Sequence, residues 1–500
     1  MAGTLLWERI MEVSLQRSFF YPSNEPYGSS GGFYDYGPVG VLMKKKIENL
    51  WRKMFIYELG HLEVESSIIT PEIVLKASGH VDNFTDPIVE CGKCHSKIRA
   101  DHLAEEKVTG FKWDGKVESL KQVYSENKSI ITCPCGGQAG DPYVFNLMFK
   151  TGIGGDNSAA YSRPETAQGI FTAFLRLFKN HGTRLPLAIG QVGRSFRNEI
   201  SPRNVLIRMR EFTQMELEYF FTPTENKMEN FDNVKDYKIR YLPRGGQKGI
   251  EKTVEEVTVG SLVESGACDE IFAFFLAREW EFYKICGMDM KRCYLRHLLE
   301  GETPHYSKGN VDMEIEISYG SVETIGNAYR TDFDLTQHQI FSKKDMSVFV
   351  ESQKKKIVPH VFEVSMGVDR MMFSLLEHAF REKSAEKDWE WFDLPPSIAP
   401  YDVAVFPLMK KDGMSEKAEG IAAMLRKSFT VFYSESGSIG KRYAKADEIG
   451  TPYAITVDYD TLKDGTLTIR YRNDGKQERV KIEELEKKIK DNASASKVTL

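Results

Sequence analysis

Hydrophobic positions along the chain repeat with changing period, and each change marks an element. Leu5, Ile10, Val13 and Leu15 share one loose face and predict a helix over residues 7–18. Residues 39–55 repeat the helical spacing as an amphipathic face. Residues 62–69 alternate as a strand, which Thr70-Pro71 ends because proline cannot donate to a ladder. An apolar run over 145–155 reads as a strand entering a glycine turn, and 169–179 as a helix. The chain is organised around the alternation of 189–220. Gln191, Ser195, Arg197 and Glu199 fall on one face of a first strand, against Val192, Phe196 and Ile200. In a second strand Arg208, Arg210, Phe212, Gln214, Glu216 and Glu218 share a face that Met209, Met215, Leu217 and Tyr219 back. Ser201-Pro202-Arg203-Asn204 carries the turn chemistry between them.

Beyond this hairpin the pattern changes. Residues 222–293 are charged, with Gly245-Gly246, an alternation near 254–259 and a helix over 269–285, and read as an insertion between core strands. Met313, Ile315 and Ile317 alternate with Glu314, Glu316 and Ser318 as a strand, and 358–364 form another. Gly367-Val368-Asp369-Arg370 then opens a strongly apolar helix. Residues 383–400, charged and then proline-rich, read as an interdomain linker. Past it come strands at 401–408, 430–433 and 452–457, helices at 415–428 and 438–448, and a hairpin of 467–472 with 478–482. That is a compact α/β domain with a fraying end at 491–500.

Five hundred residues exceed one core and predict two or three domains. The formal charge of −5 is no nucleic-acid signature, so RNA contact would need local patches. In the last domain the local basic residues are Lys441, Arg442, Lys445, Arg470 and Arg472. No apolar run approaches the roughly 20 residues of a membrane span, and the first residues lack a cleavage-site pattern. Seven cysteines, an odd number, suit a reducing cytoplasm better than a disulfide framework.

The charged hairpin face carries more than a solvated surface needs. It combines arginines suited to bidentate phosphate contact, carboxylates and the single aromatic Phe212. Such a face could hold a nucleoside triphosphate. Arg370 in the first turn of a buried helix opposes the helix dipole, and an anionic ligand would account for it. Glu165, before the 169–179 helix, has an ordinary stabilising place there. The glycines at 28–32 read as an ordered surface loop rather than a phosphate loop, because no Gly-Lys-Ser/Thr follows. Cys91-x-x-Cys94 and Cys133-x-Cys135 are either a zinc ribbon or a knuckle held by packing.

Arg197-Asn198-Glu199 followed by Arg208-x-x-x-Phe212-x-x-x-Glu216 resembles motif two of the class II aminoacyl-tRNA synthetases. Gly367 to Arg370 resembles motif three, and the strand ending at Pro71 resembles motif one. YDYGPVG, SRPETAQG, FRNEISPR, REFTQMELEYF and SGSIGKRYAKADEIGTPYAITVDYDT together resemble the glycyl-tRNA synthetases of the dimeric archaeal and eukaryotic type. Two positions depart from that family: Val364 stands in an expected Glu-Pro-Ser, and Ser321 in an expected Gly-Trp.

The resemblance implies an α+β fold: an antiparallel catalytic sheet flanked by helices, and a C-terminal α/β anticodon-binding domain with a mixed sheet. The core would comprise 1–88, 143–221 and 295–385, interrupted by a cysteine-containing insertion at 89–142 and a second insertion at 222–294, with 398–500 binding the anticodon. It implies ATP-dependent activation of glycine and transfer to the 3′ end of tRNA(Gly), by a cytoplasmic homodimer.

Residue roles follow from the same likeness. Arg197 would hold the α-phosphate, Glu199 would accept from the adenine amino group, and Phe212 and Arg370 would cover the two faces of adenine. Arg370 would also meet the γ-phosphate, and Glu323 would hold Mg2+ with ATP. The ATP positions extend to Asn198, Ile207, Arg208, Met209, Arg210, Glu211, Thr324, Gly367, Val368 and Asp369. Glycine would be met by Glu165, Glu216, Glu363 and Ser365, with Phe212, Thr213, Gln214, Met215, Val364, Met366 and Gly367 around it. Arg99 would approach its carboxylate. Converging carboxylates suit a substrate that offers an ammonium and no side chain. The alternative is a catalytically inactive, synthetase-like RNA-binding or accessory module. Such a module has no need to keep Arg197, Glu199, Phe212, Glu323 and Arg370 together.

Overall fold

The computed structural model describes residues 6–200, 202, 205–247, 252–304, 306–385 and 387–494. At its centre is a nine-stranded sheet. In chain order its strands are β1 (Leu62–Glu63), β2 (Leu187–Phe196), β3 (Glu211–Phe221), β4 (Lys238–Leu242), β5 (Glu255–Thr258), β6 (Cys293–His297), β7 (Asn310–Ile317), β8 (Gly320–Thr331) and β9 (His360–Gly367). In space they run β5-β4-β6-β7-β8-β9-β3-β2-β1. Neighbours are antiparallel except for β1 with β2 and β4 with β6.

Period-two alternation decides what each face carries. Met215, Leu217, Met313, Ile315, Val364 and Met366 point to one side and are buried there. Helices α1 (Pro38–Trp51), α3 (Glu270–Ile285) and α4 (Val368–Ala379) contribute to that core with Met43, Trp51, Phe275, Phe282, Met371 and Leu375. On the opposite side α2 (Ala167–Asn180) packs Phe171 and Phe174 against Phe220 of β3 and Val361 of β9. Alongside α2 on that second side, the polar positions of β3, β8 and β9 are left for a cavity.

Several expectations change here. The strand expected over 62–69 is broken in two. Residues Ile69–Pro71 pair instead with Ser158–Ser162 in a separate three-stranded sheet completed by Phe149–Ile153. The break lies where the Ser66 backbone N–H and hydroxyl are captured by Gln191 Oε1 at 2.6 and 2.8 Å, a partner distant in sequence. The central hairpin is shorter than its alternation suggests: pairing stops at Phe196–Glu211, and the described residues between them lie in a loop outside the ladder. Ser201, Arg203 and Asn204 of the expected turn lie outside the described residues.

The segment expected as an insertion at 222–294 is built into the sheet, supplying β4, β5 and the first two residues of β6. Its helix α3 is buried continuously from Ile271 to Tyr283, and Asp269 caps it by accepting the Phe272 N–H at 2.9 Å. The interdomain linker is packed as well. Trp391–Phe392 pairs with Phe380–Arg381, and Phe392, Leu394 and Ile398 enter the main core.

The cysteine region has its own small sheet (Thr85–Glu90, Lys97–Arg99 and Tyr143–Asn146) and its own core around Val89, Leu103 and Leu120. The C-terminal domain holds β10 (Val403–Pro407), β11 (Val431–Tyr433), β12 (Tyr453–Val457), β13 (Thr466–Tyr471) and β14 (Gln477–Lys481). Their order is β11-β10-β12-β13-β14, parallel in the first three and antiparallel after. Two helices there escaped the sequence pattern, Tyr459–Asp464 and Leu485–Ser494. The second replaces the fraying expected from 491 as far as 494; residues 495–500 lie outside the described residues.

Candidate active site

A cavity of about 350 Å³ opens over β3, β9 and β8. The register sets its floor. Glu216 of β3 lies beside Ser365 of β9, which lies beside Gly326 of β8. One step along, Glu218, Glu363 and Ala328 form the next row. The small residues on β8 leave room, since a Cβ added at Gly326 would come within 3.7 Å of Glu323 and 3.9 Å of Asp312. Phe212, Gln214, Glu363, Gly367, Asp369 and Arg370 continue the lining, with Arg197, Glu199, Ile207, Arg208 and Met209 from the loop and Glu165 from before α2.

One end of the cavity is acidic and closed. Glu216 accepts the Thr166 N–H at 2.9 Å, the Ser365 hydroxyl at 2.7 Å and Gln214 Nε2 at 2.7 Å. Glu165 accepts Gln168 Nε2 at 2.9 Å and faces His80 Nε2 at 3.4 Å. Arg330, buried beneath, donates to Glu363 at 2.9 Å and grips Asp334 at 2.7 and 2.9 Å. The Tyr306 ring lies 4.1 Å from its guanidinium carbon. Burial alone would raise Glu165, but His80 and Arg330 hold it well below the ordinary carboxylate value. Burial, and then the charge of Glu165, raise Glu216. Burial pushes Glu363 up to about 8 in spite of Arg330. Glu218, opposite Glu363 in the ladder, is raised well above its usual range by burial and that neighbour, and neither of its oxygens has a hydrogen-bond partner among the described residues. This end holds more carboxylate than its arginine can neutralise, so it suits a small cation.

The other end is open and basic. The Arg197 guanidinium lies between the rings of Phe84 and Phe212, 5.4 and 5.2 Å from their centres, and Nε donates to the Pro164 carbonyl at 3.2 Å. Arg208 Nε donates to Glu199 at 2.6 Å. Arg370 reaches across to the carbonyls of Ile207 and Glu323, both at 2.9 Å. Glu323 stands at the mouth, half exposed, and buried Asp312 Oδ1 has no hydrogen-bond partner among the described residues. Phe212 and Arg370 bound a slot suited to a planar base, with guanidinium groups around it for phosphate.

Some expected ligands do not reach the cavity. Met215, Val364, Met366 and Val368 are core residues, and alternation turns Thr213 away from the lining as well. Asn198 is held through its backbone N–H, which donates to Leu147 at 2.6 Å. Arg210 turns to the Gly31 carbonyl, and Glu211 to Arg194 at 3.4 Å. Arg99 is bound by Asp86 at 2.9 Å and by Asp101 in the cysteine region, outside the lining. Conversely, His80, Phe84, Thr166, Gln168, Arg330 and Asp334 were not expected. Arg330 and Asp334 stand four residues apart, a spacing visible in the sequence, but neither their burial nor their partner on β9 is.

The four cysteines converge away from the cavity. The Sγ atoms of Cys91, Cys94, Cys133 and Cys135 lie within 4.8 Å of one another, with Cys91–Cys135 at 3.5 Å and Cys94–Cys133 at 3.7 Å. The shorter Cys133-x-Cys135 segment is closed into a turn by the Gly136 N–H, which donates to the Cys133 carbonyl at 2.8 Å. Zn–S bonds of about 2.3 Å in a tetrahedron would fit these spacings.

Residues 149–379 match the model of the tRNA synthetase class II core domain (G, H, P, S and T), and residues 402–492 match an anticodon binding domain. The chain is 39% identical to a curated glycine–tRNA ligase of Methanocaldococcus jannaschii, across 97% of this chain and 99% of that one. Its likeness to the glycine–tRNA ligase of Pyrococcus abyssi is 38%, across 97% and 98%. Among solved structures, a prolyl-tRNA synthetase from Cryptosporidium parvum complexed with halofuginone and AMPPNP superposes with a TM-score of 0.58. That pair shares 12% identity over 97% of this chain and 75% of the other, a likeness of fold alone.

Proposed function

The chain belongs to the glycine–tRNA ligases of class II, and on that premise we propose how its cavity activates glycine. The observation that carries the reading is the adjacency of the closed acidic end to the open basic slot on one three-strand floor. The glycine ammonium sits among Glu165, Glu216, Glu363 and Ser365, where a larger amino acid would press its Cβ into a buried, hydrogen-bonded wall. ATP enters the slot with adenine between Phe212 and Arg370. A glycine carboxylate oxygen then attacks the α-phosphorus; the bond to the bridging oxygen breaks, and its electron pair leaves on pyrophosphate.

Arg197 lies between the two ends, where charge builds on the α-phosphoryl oxygens, and supplies a preorganised cation there. Arg208 leaves Glu199 to meet phosphate, which frees Glu199 to accept from the adenine amino group. Glu323, with Asp312 behind it, would hold magnesium, which when bound neutralises charge on the β- and γ-phosphates. In a second step the glycyl group passes to the 3′ end of tRNA(Gly), which the C-terminal domain helps to bind. That domain uses three of its expected RNA-contact arginines internally. Arg470 grips Asp447 at 2.8 and 3.0 Å, Arg472 donates to the carbonyls of Leu394 and Gly450, and Arg442 donates to the Leu408 carbonyl. Lys441 and Lys445 remain exposed.

Three further readings belong to this proposal. The four-cysteine cluster binds structural zinc. The chain pairs as a homodimer through the face around Ile69–Pro71, where Ile68, Ile69, Ile73 and Ile153 are 39–52% exposed. It works in the cytoplasm, in keeping with seven free cysteines; among the described residues no helix is long and apolar enough to cross a membrane. The deciding experiment is pyrophosphate–ATP exchange with each amino acid in turn. Exchange should depend on glycine, and stronger exchange with alanine or serine would overturn the assignment of the acidic end.

A further inference from the structure

Phe212 is the second residue of β3 and Arg370 sits in the first turn of α4, so the two walls of the nucleotide slot belong to elements far apart in the chain. One carboxylate joins them. Asp369, buried and adjacent to Arg370, accepts the backbone N–H of Thr213, adjacent to Phe212, at 2.6 Å. Its other oxygen accepts the hydroxyl of Tyr36. Tyr36 comes from a short N-terminal hairpin, Phe20–Pro22 with Tyr34–Tyr36. Burial, and then the Asp369 charge, hold the Tyr36 hydroxyl well above its ordinary pKa, so it stays a donor.

The same hairpin grips the slot a second time. Its loop offers the Gly31 and Gly32 carbonyls to Arg210, which donates Nη1 to the first and its backbone N–H to the second, both at 2.8 Å. Arg210 in turn donates Nε to the Glu199 carbonyl at 3.1 Å. The chain just after the hairpin leaves no room to shift. A Cβ at Gly37 would lie 2.3 Å from the Ser18 carbonyl oxygen, and one at Gly40 would lie 1.8 Å from that of Phe19. The glycine-rich loop therefore meets the phosphate-facing loop through its backbone carbonyls, which repel phosphate and attract guanidinium.

We infer that Tyr36 and Asp369 are positioning residues that fix the spacing between Phe212 and Arg370, and so the fit of adenine. The inference rests on the nucleotide-slot reading above. Its test is Tyr36→Phe, which keeps the ring and removes only the donor, measured by glycine-dependent pyrophosphate–ATP exchange beside Phe212→Ala. Tyr36→Phe should raise KM for ATP about tenfold and leave KM for glycine within about twofold, with the melting temperature nearly unchanged. Asp369→Asn should repeat the ATP effect. If Phe212→Ala raises KM for ATP and Tyr36→Phe does not, the positioning role is wrong and the slot stands. If neither moves it, the slot reading fails and takes this inference with it. A Tyr36→Phe enzyme that loses melting temperature and both KM values together would show a merely structural bond, and would also overturn the proposal.

Discussion

At the acidic end of the cavity Glu216 and Arg330 are each 1% exposed, and Arg330 is shared by the buried carboxylates of Glu363 and Asp334. At the nucleotide end the side chains of Arg208 and Arg370 are each 36% exposed, and their partners are a carboxylate and carbonyls that a ligand can replace. The residue types are the same; what differs is what a rearrangement would cost. Removing one partner from a buried ion pair costs about 3–5 kcal/mol, because the other charge is left stranded. Exchanging Glu199 for phosphate keeps Arg208, 36% exposed, paired throughout, and the adenine amino group gives buried Glu199 a new partner, so neither charge is stranded. The closed end is therefore rigid enough to measure a substrate by its lack of a side chain. The open end can release its own partners to accept a large anion.

The largest effect should come from the group placed where the two ends meet. Arg197→Ala should lower the exchange rate by about 10²–10³-fold, the loss seen when a preorganised transition-state donor is removed, with KM for glycine little changed. A loss confined to KM for ATP would make Arg197 a ground-state contact and weaken the division. Next, Glu216→Gln should raise KM for glycine about tenfold while leaving KM for ATP alone, because a charged hydrogen bond of about 1.5–3 kcal/mol becomes a neutral one of about 0.5–1.5 kcal/mol. Equal effects on both substrates would mean that the ends are not separate.

That division was half legible beforehand. Alternation in β3 placed Phe212, Gln214 and Glu216 on one face, because an antiparallel strand with one buried side has a strict period. It could not show where pairing stops. The polar alternation continues past Phe196, yet the backbone N–H groups of Arg197, Asn198 and Arg210 turn to the carbonyls of Arg210, Leu147 and Gly32. Arginine content was equally ambiguous. Arg197, Arg208 and Arg370 line the cavity, whereas Arg442, Arg470 and Arg472 are sealed inside the C-terminal domain. The difference is burial, which depends on neighbours distant in sequence. Helix α3 was more legible than the insertion reading allowed: a helix apolar nearly all round, from Ile271 to Tyr283, has to be buried on every side. The capture of Ser66 by Gln191 has no local signal at all.

A smaller effect should separate the two ends by pH. Glu363 is pushed up to about 8, and Glu216 is raised, so below that range part of the acidic end carries a proton that a bound ammonium must displace. Affinity for glycine should therefore rise with pH between 6 and 8, by at most about tenfold per unit for one proton released. At the nucleotide end Asp312 is also pushed up to about 8, by burial and then by the charge of Glu323, so the comparison is made at saturating Mg2+, where KM for ATP should stay flatter over the same range. Parallel measurements of both constants check the sign, and a glycine KM that worsens with rising pH would contradict it.

The smallest effect tests whether the open end borrows rigidity from outside the cavity. The Arg197 guanidinium lies over the Phe84 ring, 5.4 Å from its centre, and Phe84 immediately precedes Thr85–Glu90, the strand that leads into Cys91. Phe84→Ala removes one of two rings, worth about 0.5–2 kcal/mol, so the exchange rate should fall several-fold with KM for glycine unchanged. If zinc holds the four cysteines, its removal by a chelator should act along the same route: the cysteine region loosens, Phe84 loses its seat, and the exchange rate falls in the same direction. In Phe84→Ala the chelator should then have less left to do. Equal chelator effects in both proteins would separate the cysteine region from the nucleotide end, and leave Arg197 held by Phe212 and the Pro164 carbonyl alone.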